Sequence, residues 1–138
     1  MTRMARRRIE QSRIDVELHV RTAEELPFED GRFDCVVSSW TLCSIRNVRR
    51  AIAEIKRVLK PGGRFLFLEH GLSDDPGIRR WQKRLSPLQK RLADGCRLDL
   101  HVESLVRSGT FQEIRVERFL LERTPRLLGS MYRGVAVR

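Results

Sequence analysis

Between Val48 and Leu59 the apolar residues Val48, Ala51, Ile52, Ile55, Val58 and Leu59 recur three and four positions apart, on one face of an α-helix. Asn47 stands where an N-cap side chain accepts from the first turn. The helix is expected to stop at Lys60, because Pro61 disfavours helical geometry in the residue before it and has no N–H to donate. Gly62 and Gly63 then permit a turn with positive φ. RFLFLEH, Arg64–His70, follows at once and has the continuous apolar character of a buried strand. FDCVVSS, Phe33–Ser39, is a second buried parallel strand, preceded by the turn signals Pro27 and Asp30-Gly31. DVELHV, Asp15–Val20, alternates Val16, Leu18 and Val20 with Asp15, Glu17 and His19, the period of a strand with one buried face. Residues 3–12 read as a helix without a strong face.

Further on, Ile78, Trp81, Leu85, Leu88 and Leu92 form another helical stripe. Ser86-Pro87 is expected to cut it, with Ser86 capping a second short helix that Pro87 begins. His101–Arg107 is a helix closed by Gly109. FQEIRVERFLL and MYRGVAVR are strands joined without a helix. This order predicts a single α/β domain over residues 1–138, its sheet mainly parallel with an antiparallel last strand.

A chain of 138 residues with 41% hydrophobic and 33% charged residues suits one globular domain. The net charge of +10 comes almost wholly from arginine, Lys56, Lys60, Lys83 and Lys90 being the lysines. These cations are scattered between apolar positions, so a solvated surface is expected and nucleic acid is not. The basic amphipathic stretch Arg79–Leu92 leaves a peripheral membrane contact open. Cys35, Cys43 and Cys96 are odd in number and form no CxxC, so neither a disulfide framework nor a zinc site is expected. Reduced thiols fit a cytoplasmic protein. No apolar run approaches the roughly 20 residues of a membrane span, and the basic start lacks the apolar core of a secretory signal.

In an open α/β sheet, ligands bind beyond the carboxyl ends of the strands. Those ends are Arg21–Leu26, Ser38–Cys43 and Glu69–Leu72. His70 carries the chemistry of a general base. Glu69 can face a ligand or cap a helix N-terminus electrostatically. Cys43 can line a site or be a small buried apolar residue, and Trp81 can be lid or core.

AEELPFEDGRFDCVVSSWTLCSI followed by EIKRVLKPGGRFLFLEHG resembles the middle and later motifs of class I S-adenosylmethionine-dependent methyltransferases. The similarity covers nearly the whole chain and lies with the small-molecule branch that acts on quinone precursors and alkyl thiols. TLCSIRN, FLEH, RWQ, PL and DGC are most similar to its thiol side. The resemblance implies a Rossmann-like sheet, S-adenosyl-L-methionine as cofactor, no metal, and in-line methyl displacement to a small-molecule acceptor: a thiol, lipid or quinone precursor. It places Thr22, Ala23, Glu24 and Leu26 at the adenine, with Thr22 where the family usually has Asp. It places Ser38, Ser39 and Trp40 at the methionine portion, Cys43, Glu69 and Trp81 on the acceptor side, and His70 as the base.

One departure is large. The family's glycine-rich turn has no counterpart here, so the first two strands of the family sheet are expected to be absent. They would lie between DVELHV and FDCVVSS. Their absence would leave an open strand edge for self-association and would impair the cofactor site. The other class of function is a basic non-catalytic fragment that binds nucleic acid, an anionic membrane or a paralogous subunit.

Overall fold

The computed structural model describes residues 2–93 and 95–138. The elements run α1 (Thr2–Glu10), β1 (Phe33–Ser39), a 3₁₀ turn (Leu42–Ser44), α2 (Val48–Val58), β2 (Leu59–His70), α3 (Pro76–Leu92), α4 (Val102–Ser108), β3 (Glu113–Leu120) and β4 (Ser130–Val137). The sheet order is β1-β2-β4-β3. β1 and β2 pair in parallel, and β4 is antiparallel to both β2 and β3. Three strands therefore point one way and the last alone reverses, as the pattern predicted.

The α2 stripe forms its inner face: Val48, Ala51, Ile52, Ile55 and Val58 are buried. Val48, Ile52 and Ile55 share one core cluster with Phe65 and Phe67 of β2, Ala136 of β4, and Val102 and Val106 of α4. Each buried valine, isoleucine or phenylalanine contributes about 1.5–3 kcal/mol by leaving water. Asn47 caps α2 as expected, its Oδ1 accepting from Arg50 N at 3.1 Å. At the far end of β2, a Cβ on Gly71 would lie 2.6 Å from Leu100 O. Only glycine lets the segment before α4 close against the strand tip, where Leu72 N donates to Leu100 O.

Four expectations are corrected. Asp15–Val20 is not a strand but exposed, irregular chain, since among the described residues no strand lies beside it to complete its hydrogen bonds. β1 is the open edge that the missing family strands imply, not the buried strand its apolar run suggested, and Val37 is 68% exposed. β2 begins at Leu59, ahead of the Pro-Gly-Gly segment, which is accommodated where the register slips from Phe33↔Leu59 to Cys35↔Arg64.

α3 runs unbroken through Pro87, capped by Asp75 with Pro76 in its first turn. Ser86 does not cap; its hydroxyl donates to Asp99 Oδ1. The apolar stripe of α3 faces outward, with Trp81 57%, Leu88 54% and Leu92 77% exposed. Buried Gln82 and Ser86 turn the helix the other way. The Gln82 amide accepts from Ser73 N at 2.8 Å and donates to Gly71 O at 3.1 Å and Leu127 O at 3.0 Å. Three strong bonds at one buried side chain outweigh the burial of a sparse leucine stripe. Among the described residues no helix is long and apolar enough to cross a membrane.

Candidate active site

The parallel register sets Ser38 and Ser39 of β1 opposite Phe67 and Leu68 of β2, so the two carboxyl ends lie side by side. Ladder bonding continues to Trp40, whose N–H donates to Leu68 O at 3.0 Å. There the chain turns sharply, and Trp40 takes φ 55°. That conformation costs a non-glycine residue about 1–3 kcal/mol and persists only where its surroundings hold it.

Glu69 holds it. Its fully buried carboxylate accepts from Ser38 Oγ at 2.6 Å, Thr41 N at 2.9 Å and Leu42 N at 3.1 Å. Burial pushes the Glu69 carboxyl above its ordinary range, and these donors pull against that shift. Glu69 therefore faces inward and serves as the electrostatic cap of the 3₁₀ turn.

The Trp40 indole, half exposed, lies 5.7 Å from the His70 ring, centroid to centroid. His70 is buried, and desolvation lowers its pKa, favouring the neutral ring. Its Nε2 lies 3.4 Å from Cys96 Sγ. Its Nδ1 is buried and makes no hydrogen bond among the described residues. Cys43 is buried beside it, its thiol pushed up to about 11, mainly by burial. Cys96 was not among the site residues expected from the sequence, and Asp94 of the Asp-Gly-Cys motif lies outside the described residues. Trp81 is not in the core: it stands on the outer face of α3 with the Arg84 guanidinium 5.9 Å from its ring.

The loop expected at the adenine is held by α2. Thr22 Oγ1 accepts from Glu24 N at 3.2 Å, and Glu24 Oε1 accepts from Asn47 N at 2.8 Å. The Glu24 carboxylate is thus engaged at the amino end of α2. Leu26 N donates to Glu54 Oε2 at 2.8 Å, and Arg57 donates to Leu26 O at 3.0 Å and Phe28 O at 2.8 Å. Hydrogen bonds from the Arg57 guanidinium hold the Glu54 carboxyl down, to about 2. The sequence reading missed this pair. Its signal was Glu54 and Arg57 at i,i+3 on a helix, where opposite charges meet.

Beyond the tip of β2 a cavity of about 240 Å³ is lined by Leu72, Asp75, Arg118, Arg126, Ser130 and Met131, among others. It lies on the ligand side of an open α/β sheet. Met131 pairs with His70 across the ladder, and the Ser130 hydroxyl is buried without a partner among the described residues.

Residues 1–67 match a family described as a methyltransferase domain. Thiol S-methyltransferase TMT1B of Rattus norvegicus is 37% identical over 90 residues, 64% of this chain and 36% of that protein. The mitochondrial 2-methoxy-6-polyprenyl-1,4-benzoquinol methylase of Rattus norvegicus is 50% identical over 58 residues, 42% of this chain and 18% of that protein. The chain thus spans well under half the length of these relatives. The solved structure of a SAM-dependent methyltransferase from Thermotoga maritima shares the fold. Its TM-score is 0.70 at 20% identity, over 99% of this chain and 68% of that one. By sequence and fold together, the chain belongs to the class I S-adenosylmethionine-dependent methyltransferases, whose cofactor is S-adenosyl-L-methionine. The residues present fit one flank of that cofactor. Ser38–Trp40 offer backbone and an exposed indole at a strand end, and Thr22–Leu26 form a loop braced by Glu54 and Arg57.

Proposed function

We propose that this chain takes part in methyl transfer to a small-molecule thiol. The observation that carries the reading is the strand-tip arrangement: a strained, exposed Trp40 fixed by buried Glu69, with a cavity opening beyond the same strand. The thiol class is favoured over the quinone class because similarity to the thiol methyltransferase runs through 64% of the chain, against 42% for the quinone methylase.

When bound, S-adenosyl-L-methionine supplies the methyl group and a thioether leaving group. The chain's own residues align the partners and exclude water, which is most of what an in-line displacement needs. Thr22, Ala23, Glu24 and Leu26 flank the adenine, with Glu54 and Arg57 keeping that loop in place. Ser38, Ser39 and Trp40 face the methionine portion, and Glu69 is a positioning residue for them. The acceptor enters from the cavity beside Met131. A thiol, with a pKa of about 8.5, needs little help to ionise.

The test is calorimetric titration of the 138-residue chain with S-adenosylhomocysteine. Saturable binding is expected, weakened at least about tenfold, or ~1.4 kcal/mol, in Trp40→Ala. A folded chain that takes up no S-adenosylhomocysteine overturns the reading for this polypeptide.

The outward stripe of α3 favours a second reading, a peripheral membrane contact. Trp81, Leu88 and Leu92 are exposed beside Arg80, Lys83, Arg84, Lys90 and Arg91, the composition of an interfacial helix. Trp81 emission in a Trp40→Phe background should shift to the blue with anionic vesicles and not with neutral ones. An unchanged spectrum would remove this reading.

A further inference from the structure

We propose that Cys43, His70 and Cys96 form a binding site for a soft divalent metal ion of the zinc class. The three residues come from the 3₁₀ turn after β1, the tip of β2 and the loop after α3. Their ligand atoms, two Sγ and one imidazole nitrogen, all lie within 4.8 Å of one another. Ligands on a tetrahedral zinc ion stand ~3.5–3.8 Å apart, given Zn–S of about 2.3 Å and Zn–N of about 2.0–2.1 Å. His70 Nε2 and Cys96 Sγ, at 3.4 Å, are already near that separation.

Two further points fit a cation. The first is charge: two thiolates and a neutral imidazole around a divalent ion sum to zero, the condition for holding an ion away from water. The second is bracing. Arg97, next to Cys96, donates its N–H to Cys43 O at 3.1 Å and its guanidinium to Ile45 O at 3.1 Å, so the two cysteines are tied together through the backbone.

Binding exchanges two thiol protons for the ion. Both protons leave to solvent, and no electron moves. Three protein ligands leave a fourth position open to water or to a soft exogenous ligand. In this assignment His70 is a ligand, in place of the free base anticipated from the sequence. The inference does not depend on methyl transfer, and its test uses no cofactor.

The reduced 138-residue chain is titrated with cobalt(II) and then with zinc. The expected result is one cobalt ion per chain, with thiolate charge-transfer absorption in the near ultraviolet and tetrahedral bands in the visible, both erased by zinc. Cys43→Ser and Cys96→Ser should each weaken zinc binding by more than the roughly 10–100-fold typical of losing an outer-sphere partner. Cys35→Ser should bind as the parent does, because Cys35 is exposed on β1 and outside the cluster. Should Cys43→Ser fail to fold, alkylation of the parent chain decides: zinc should shield Cys43 and Cys96 and leave Cys35 reactive. Absence of charge-transfer bands together with unchanged alkylation overturns the proposal. So does undiminished zinc affinity in folded Cys96→Ser, or a reduced chain that takes up no ion and forms only a Cys43–Cys96 disulfide on oxidation.

Discussion

Trp40 and Glu69 form one unit at the residue scale. The left-handed backbone of Trp40 is a local cost, and the Glu69 carboxylate supplies the bonds that hold it. Replacing Trp40 by glycine removes the strain and the indole together. Trp40→Gly should therefore unfold within about 1 kcal/mol of the parent while losing affinity for S-adenosylhomocysteine. A parallel fall in stability and affinity would mean that the indole is structural. Glu69→Gln turns an amide donor toward a cluster of donors. It should lower the unfolding free energy in urea by about 1–3 kcal/mol; a loss below half a kcal/mol would show that the turn holds itself.

Between elements, the Glu54–Arg57 pair clamps the Thr22–Leu26 loop to α2. The folded Glu54 carboxyl titrates at about 2 against an ordinary 4.5. A depressed acid adds stability that is complete above the ordinary value and is lost as pH falls through the folded one. Urea midpoints should therefore drop between about pH 5 and pH 2 more steeply in the parent than in Glu54→Gln. At neutral pH that variant should be weaker by about 1–3 kcal/mol. Identical slopes would exclude Glu54 as the source. In α3, Pro87 lies inside a continuous helix, exposed, and contributes no N–H. Pro87→Ala should raise the melting temperature, by up to about 3 kcal/mol of added stability. A lower melting temperature would mean that the proline ring packs usefully.

For the molecule as a whole, β1 is the exposed feature. Val37 faces solvent, and among the described residues the strand pairs on one side only, with β2. Unpaired N–H and C=O groups beside apolar side chains are a template for another strand. Val37→Lys should reduce concentration-dependent association in sedimentation, with stability changed by no more than about 0.5 kcal/mol. Association unaffected by the charge would point to another surface.

Much of this was legible in the chain. The α2 stripe, the Asn47 cap, the two apolar strands and the reversed last strand follow from periodicity, capping and turn chemistry, which act between near neighbours. Glu69 as an electrostatic cap was one of the two roles its position allowed. The α3 stripe misled because leucine spacing says nothing of the Gln82 amide, whose partners Gly71 and Leu127 come from distant segments. Asp15–Val20 misled because alternation promises a strand only where a neighbouring strand exists. The amino-acid sequence by itself determined the α/β class and the family. Tertiary structure alone decided that Trp81 faces water and that Cys43, His70 and Cys96 lie within reach of one another. Spacing along the chain reports local geometry, whereas residues more than twenty positions apart meet only through the path that the packed elements impose.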